Sequence, residues 1–170
     1  MKTEGLVHLY TGDGKGKTTA AVGLCVRALG HGLRVVFVQF LKNGQSGELE
    51  PLRSLGAAVL GGGVRTFVSK MSEAERRAVR ERMDELLSEA LELPADLLVL
   101  DEACVAAGLG MLDGELLRRA VEERPAGREI VLTGRGALPC MLEAADYVTV
   151  MEAEKHPFAR GLTAREGIEY

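Results

Sequence analysis

The chain has 170 residues, 46% of them hydrophobic and 27% charged, with a net charge of −4. That length supports one domain with a proper core, and the acidic balance and absence of Trp exclude a general nucleic-acid binder, which needs a basic patch or a stacking platform. Cys25, Cys104 and Cys140 are odd in number, widely spaced and without a CxxC pair, so they form neither a disulfide framework nor a metal-ligand pattern.

In chain order, Leu6–Tyr10 is a short apolar run that stops at a Gly-rich turn, as a buried strand does. Residues Thr18 to Leu29 are Ala-, Val- and Leu-rich with Arg27 the one charge, which predicts a helix packed inside a layer. Gly30-His31-Gly32 ends it, and Arg34–Val38 reads as the second strand, completing a βαβ unit. Asn43 to Gly47 is a polar loop, Glu48 to Leu55 a short helix, and Gly61-Gly62-Gly63 a break. Ser72 and Glu75 form a capping box ahead of a helix whose stripe is Val79, Met83, Leu86, Leu87 and Ala90. Its charged face reads as solvated surface.

Leu97–Leu100 is a strongly apolar strand ending in Asp101-Glu102. Asp113 caps a helix running through Arg124. Ile130–Thr133 is a fourth strand, Pro139 opens another helix, and Tyr147–Val150 is a fifth strand. Apolar strands alternating with helices predict an α/β fold, a parallel sheet covered on both faces, with no second domain across residues 1–170. The strand pattern begins too close to Met1 to leave room for a signal peptide, and no apolar run reaches the ~20 residues of a membrane helix. Two of the cysteines lie in apolar, helix-like stretches and read as buried free thiols. The expected setting is therefore the cytoplasm.

The turn Thr11-Gly12-Asp13-Gly14-Lys15-Gly16-Lys17-Thr18-Thr19 sits between a strand and a helix. Bare backbone amides in such a loop approach a phosphate closely, and the helix N-terminus adds its dipole. Lys17 supplies a point charge and the Thr18 hydroxyl is suited to Mg²⁺, so the expected ligand is the triphosphate of ATP. Thr11 stands where the common P-loop pattern has its first Gly, and the glycines fall instead at 12, 14 and 16. Asp101, at the C-terminal edge of a strand, is suited to hold Mg²⁺ through oxygen. Glu102 stays open between water activation, contact with Mg²⁺ or substrate, and a plain helix cap.

These motifs, with Arg27–Gly32, Val38–Lys42, Leu132–Arg135, Ala144–Asp146, Lys155–Phe158 and Gly167–Tyr170, resemble the P-loop ATP:corrinoid adenosyltransferases of cobalamin synthesis. The resemblance runs nearly end to end. It implies a single-domain, RecA-like three-layer sandwich with a mostly parallel central sheet, and transfer of the 5′-deoxyadenosyl group of ATP to the Co(I) centre of a reduced corrinoid with release of triphosphate. Co(I) is its own nucleophile, so the protein's task is positioning and charge stabilisation. Lys15, Lys17 and Glu102 are the catalytic candidates and Thr18 and Asp101 the metal ligands. Gly12, Asp13, Gly14, Lys15, Gly16, Lys17, Thr18, Thr19, Arg27, Lys42 and Arg135 are the candidates for holding ATP. Arg27 is equally readable as a snorkelling surface residue.

The lower face of the corrinoid is expected at Gly61 to Ser69, a segment poor in aromatics where Phe67, with Phe40, is the candidate. His156 reads as a packing or hydrogen-bonding group rather than a cobalt ligand. A homodimer and a flavoprotein reductase are the implied partners, with no membrane and no nucleic acid. The competing readings are an ATPase or small-molecule kinase with Glu102 as base, and a non-catalytic nucleotide-binding module.

Overall fold

A computed structural model describes residues 4–170; the absence of a signal peptide is an expectation that falls partly on residues outside these. Six strands form one sheet: β1 (Val7–Thr11), β2 (Val35–Gln39), β3 (Ala58–Gly61), β4 (Leu97–Asp101), β5 (Glu129–Thr133) and β6 (Tyr147–Val150). Their spatial order is β3-β2-β4-β5-β1-β6, and every pairing is parallel. The helices are α1 (Lys17–Gly30), α2 (Leu49–Ser54), α3 (Glu73–Glu92), α4 (Ala103–Gly108), α5 (Gly114–Glu122) and α6 (Pro139–Ala144).

Alternation along the strands sends neighbouring side chains to opposite faces. Val7, Leu9, Val36, Val38, Leu98, Leu100, Ile130 and Leu132 face α3, α4, α5 and α6. Val35, Phe37, Leu97, Val99 and Val131 face α1 and α2. The helical stripe expected on α3 is the one that packs: Met83, Leu86, Leu87 and Ala90 are buried, each large side chain contributing about 1.5–3 kcal/mol. Both expected caps form. Ser72 and Glu75 complete a reciprocal capping box, and the Asp113 carboxylate accepts from the Glu115 and Leu116 amides. The charged face of α3 is solvated, with Arg82 paired to Glu85 and Glu89.

Three expectations change. Strand β3 is an addition: the apolar run Ala57–Leu60 between Gly56 and Gly61 is short and lies half-buried or exposed at the sheet edge. Helix α4 is also new, because it restarts directly after β4 through a left-handed Glu102. Helix α1 is amphipathic rather than enclosed, burying Lys17, Ala21, Cys25 and Ala28 on one stripe while Val26 is 46% exposed. The cysteines are free; Cys25 and Cys104 are buried and Cys140 is half-buried. No helix among the described residues is long and apolar enough to cross a membrane.

Candidate active site

The sheet order places the C-terminal ends of β1, β5, β4 and β2 side by side, and the polar residues cluster there. The loop after β1 is shaped by the segment after β6. The Gly14 amide donates to the Met151 carbonyl at 2.6 Å, and a Cβ on Gly12 or Gly14 would lie 2.4 Å from the Met151 oxygen or 2.7 Å from the Glu152 oxygen. Gly12 also sits at φ 96°, which side chains disfavour. The displaced glycines of the motif therefore answer a close backbone crossing, and a helix then begins at Lys17.

Lys17 is buried, and its Nζ donates to the Gly12 and Gly14 carbonyls, both at 2.6 Å. Burial lowers its pKa, aided by Arg135 and opposed by Glu102 and Asp13. Beside it lies Asp101, with no exposed surface. Its Oδ1 accepts from the Thr18 hydroxyl at 2.8 Å and the Thr133 hydroxyl at 2.7 Å. Its Oδ2 accepts from Lys42 Nζ at 3.1 Å and Gln39 Nε2 at 3.3 Å. Three strand ends and the first turn of α1 thus converge on one carboxylate.

Glu102 follows at φ 62°, and its amide donates to Thr133 Oγ1 at 2.9 Å. Burial, then the Asp101 charge, raises its carboxyl above the usual range, against Lys42, Lys17 and Arg135. Its side chain reaches a cleft of about 1200 Å³ that also takes in Lys42, Val64, Phe67, Arg76 and Tyr170. Phe67 is 78% exposed on this wall, whereas Phe40 is fully buried in the core.

On the outer side of the loop, Arg135 lies 3.8 Å from Asp13, and both join His156 and Phe158 around a recess of about 380 Å³. His156 Nδ1 accepts from the Phe158 amide, a hydrogen-bonding role. The tail then returns to the first cleft through Glu166, Glu169 and Tyr170. Arg165 holds the Glu169 carboxyl down to about 2, with Lys15 adding to the effect. Arg27 stands apart, exposed in the last turn of α1, roughly 15 Å along the axis from Lys17 at 1.5 Å per residue.

Gly12 to Thr19, Lys42, Asp101, Glu102 and Arg135 are therefore gathered at one edge, Phe67 lines the adjoining cleft, and Arg27 is left outside. Sequence reasoning passed over Thr133 as a site residue; its signal was a lone hydroxyl ending an apolar strand at the edge that carries Asp101. Gln39, at the end of β2, bridges Asp101 and Glu48, a contact the sequence pattern does not announce.

The donor chemistry suits Mg²⁺. The Thr18 hydroxyl and Asp101 carboxylate are hard oxygens in direct contact, and Mg²⁺ commonly takes one or two protein ligands plus phosphate and water. Among the described residues no group of three or more His, Cys, Asp or Glu could hold a metal without such help.

The family model described as ATP:corrinoid adenosyltransferase BtuR/CobO/CobP matches residues 3–170. A corrinoid adenosyltransferase of Pseudomonas aeruginosa is 37% identical over 98% of the chain and 84% of its own length. One from Escherichia coli K12 is 36% identical, covering 98% and 86%. Corrinoid adenosyltransferase CobA of Salmonella typhimurium is 36% identical, covering 100% and 88%.

Proposed function

The chain belongs to the ATP:corrinoid adenosyltransferase family and adenosylates corrinoids in cobalamin biosynthesis or salvage, and we propose that it does so with triphosphate held in the corner around Lys17 and Asp101 and the corrinoid in the adjoining cleft. One observation carries this assignment: Lys42 and Glu102 belong to both regions, so a nucleotide in one and a flat macrocycle in the other would meet.

The electron pair of Co(I) forms the Co–C5′ bond as the C5′–O bond breaks, and the leaving electrons pass to the triphosphate. No side chain has to abstract a proton. Lys15, Lys17 and the loop amides other than that of Gly14, which Met151 holds, stabilise the growing charge, an electrostatic contribution that in comparable sites amounts to about 3–4 kcal/mol for one donor. Lys17 leaves the Gly12 and Gly14 carbonyls to reach the phosphate, and its partial burial strengthens that contact. Mg²⁺, held by Thr18 and Asp101, would supply further charge neutralisation on the triphosphate. Arg135 steadies its outer end with Asp13, and Glu102 orients the nucleotide at the junction with the cleft. Phe67 offers an apolar face to the underside of the corrinoid.

The comparisons favour this chemistry over phosphoryl transfer with Glu102 as base. The same reading takes residues 1–170 as one domain acting in the cytoplasm as a homodimer, supplied with Co(I) by a flavoprotein reductase. The open β6 edge, with Tyr147 at 51% and Val150 at 56% exposure, suits a second copy. The test is incubation with Mg-ATP and a corrinoid chemically reduced to Co(I). Triphosphate appearing in step with the absorption of a new cobalt–carbon bond is the expected result; ADP and phosphate would overturn it.

A further inference from the structure

The carboxylate of Asp101 has about four lone-pair directions, and four donors occupy them: Thr18, Thr133, Gln39 and Lys42. Three are neutral, so among the described residues Lys42 is the one full positive charge in contact with a side chain that has no exposed surface. A buried carboxylate without such a partner is strongly destabilising. A second carboxylate is in reach. Glu48, just ahead of α2, lies 4.0 Å from Lys42 Nζ and already accepts from Gln39 Nε2 at 2.9 Å. Lys42 is thus suspended between two acids, 3.1 Å from one and 4.0 Å from the other. The Lys42 side chain is 30% exposed and lines the corrinoid cleft, so its position changes that wall.

We propose that Lys42 is the resident counter-cation of Asp101, which yields its place to the arriving metal–nucleotide complex and transfers to Glu48. A divalent cation and an ammonium repel each other on one carboxylate, and the alternative partner is less than about 1 Å farther away than the present one, so the exchange needs a side-chain adjustment only. The cleft wall is then completed after nucleotide loading, which makes Lys42 a positioning residue for the corrinoid. This inference rests on the reading that Asp101 receives the metal.

The test uses the full chain with ATP and Mn²⁺ in place of Mg²⁺, without corrinoid, and measures bound Mn²⁺ by electron paramagnetic resonance. Lys42→Met should tighten Mn²⁺ about 5- to 10-fold, and Glu48→Gln should weaken it several-fold. Combined with Lys42→Met, Glu48→Gln should have no further effect, because the ion it would receive is gone. Equal weakening by Glu48→Gln in both backgrounds would reduce the pair to long-range charge and overturn the exchange. Unchanged Mn²⁺ affinity in Asp101→Asn would overturn the metal assignment beneath it. A second readout needs no variant: acetylation of Lys42 by limiting acetic anhydride, followed by mass spectrometry, should rise at least twofold with Mg-ATP over ATP in chelator. Equal labelling in the two conditions would also overturn the proposal.

Discussion

In the phosphate corner Lys17, Gln39, Asp101 and Thr133 are buried, and among the described residues no buried side-chain nitrogen or oxygen lacks a partner. The cleft beside it is walled by Phe67 at 78% exposure and by the end of a tail whose residues 152–170 are all exposed. The first region is internally paired. Lys17 and Lys42 hold protein partners that they exchange for ligand over short distances, and the buried carboxylate and strand-end hydroxyls fix where that charge is delivered. The second has an apolar surface and few fixed contacts, as suits a large, flat substrate that completes the wall on binding. Chemistry and capacity are thus divided between a rigid corner and an open cleft.

That division can be broken most sharply at Lys17. Lys17→Ala should lower triphosphate release about 10²- to 10³-fold under saturating corrinoid while circular dichroism stays native; near-normal release would move the phosphate site elsewhere. Rigidity of the corner is tested next by Thr133→Val, which removes the hydroxyl joining Asp101 to the Glu102 amide. Chemical denaturation should show a loss of about 1–3 kcal/mol, the cost of leaving buried polar groups unpaired. A change below ~0.5 kcal/mol would mean that the corner relaxes freely.

The cleft should respond in the opposite sense. Phe67→Ala should raise KM for the corrinoid several-fold, leave KM for ATP unmoved, and alter stability by no more than about 0.5 kcal/mol, as expected for an exposed side chain. Coupled loss of both KM values would deny that the regions are separate.

The far end of the sheet supplies a reference that should touch neither region. Arg34 and its own amide hold Asp96, and those hydrogen bonds bring the carboxyl down to about 2. A depressed acid contributes stability that is present above its ordinary value and lost as pH falls through the folded one. Asp96→Asn should therefore cost only about 0.2–1 kcal/mol near neutrality, with the difference vanishing between roughly pH 4 and pH 2. Urea midpoints across that range would show it, and transfer activity should not change.

The amino-acid sequence by itself determined the α/β class and its most buried strands, because a strand covered on both faces must be apolar at every position, as in Leu97–Leu100. It also determined the Gly-rich turn between β1 and α1, whose glycines, Lys17 and Thr18 lie within one turn. Caps at Ser72 and Asp113 were legible for the same reason: donor and acceptor lie within three residues. Edge strand β3 was less so, since its apolar run Ala57–Leu60 is too short to show a strand period and rests half-exposed. Helix α4 was hidden by a backbone reversal at Glu102 that no residue type announces. Only the tertiary structure decided what surrounds Asp101, because Thr18, the Gln39–Lys42 stretch and Thr133 come from three separate segments and meet only when the sheet takes its order. It also brought Met151 against Gly14, which gives the shifted glycines of the loop their physical reason. Local patterns specify what a few neighbouring residues can do; partners distant in sequence are assigned by strand order, which the hydrophobic pattern of each strand does not encode.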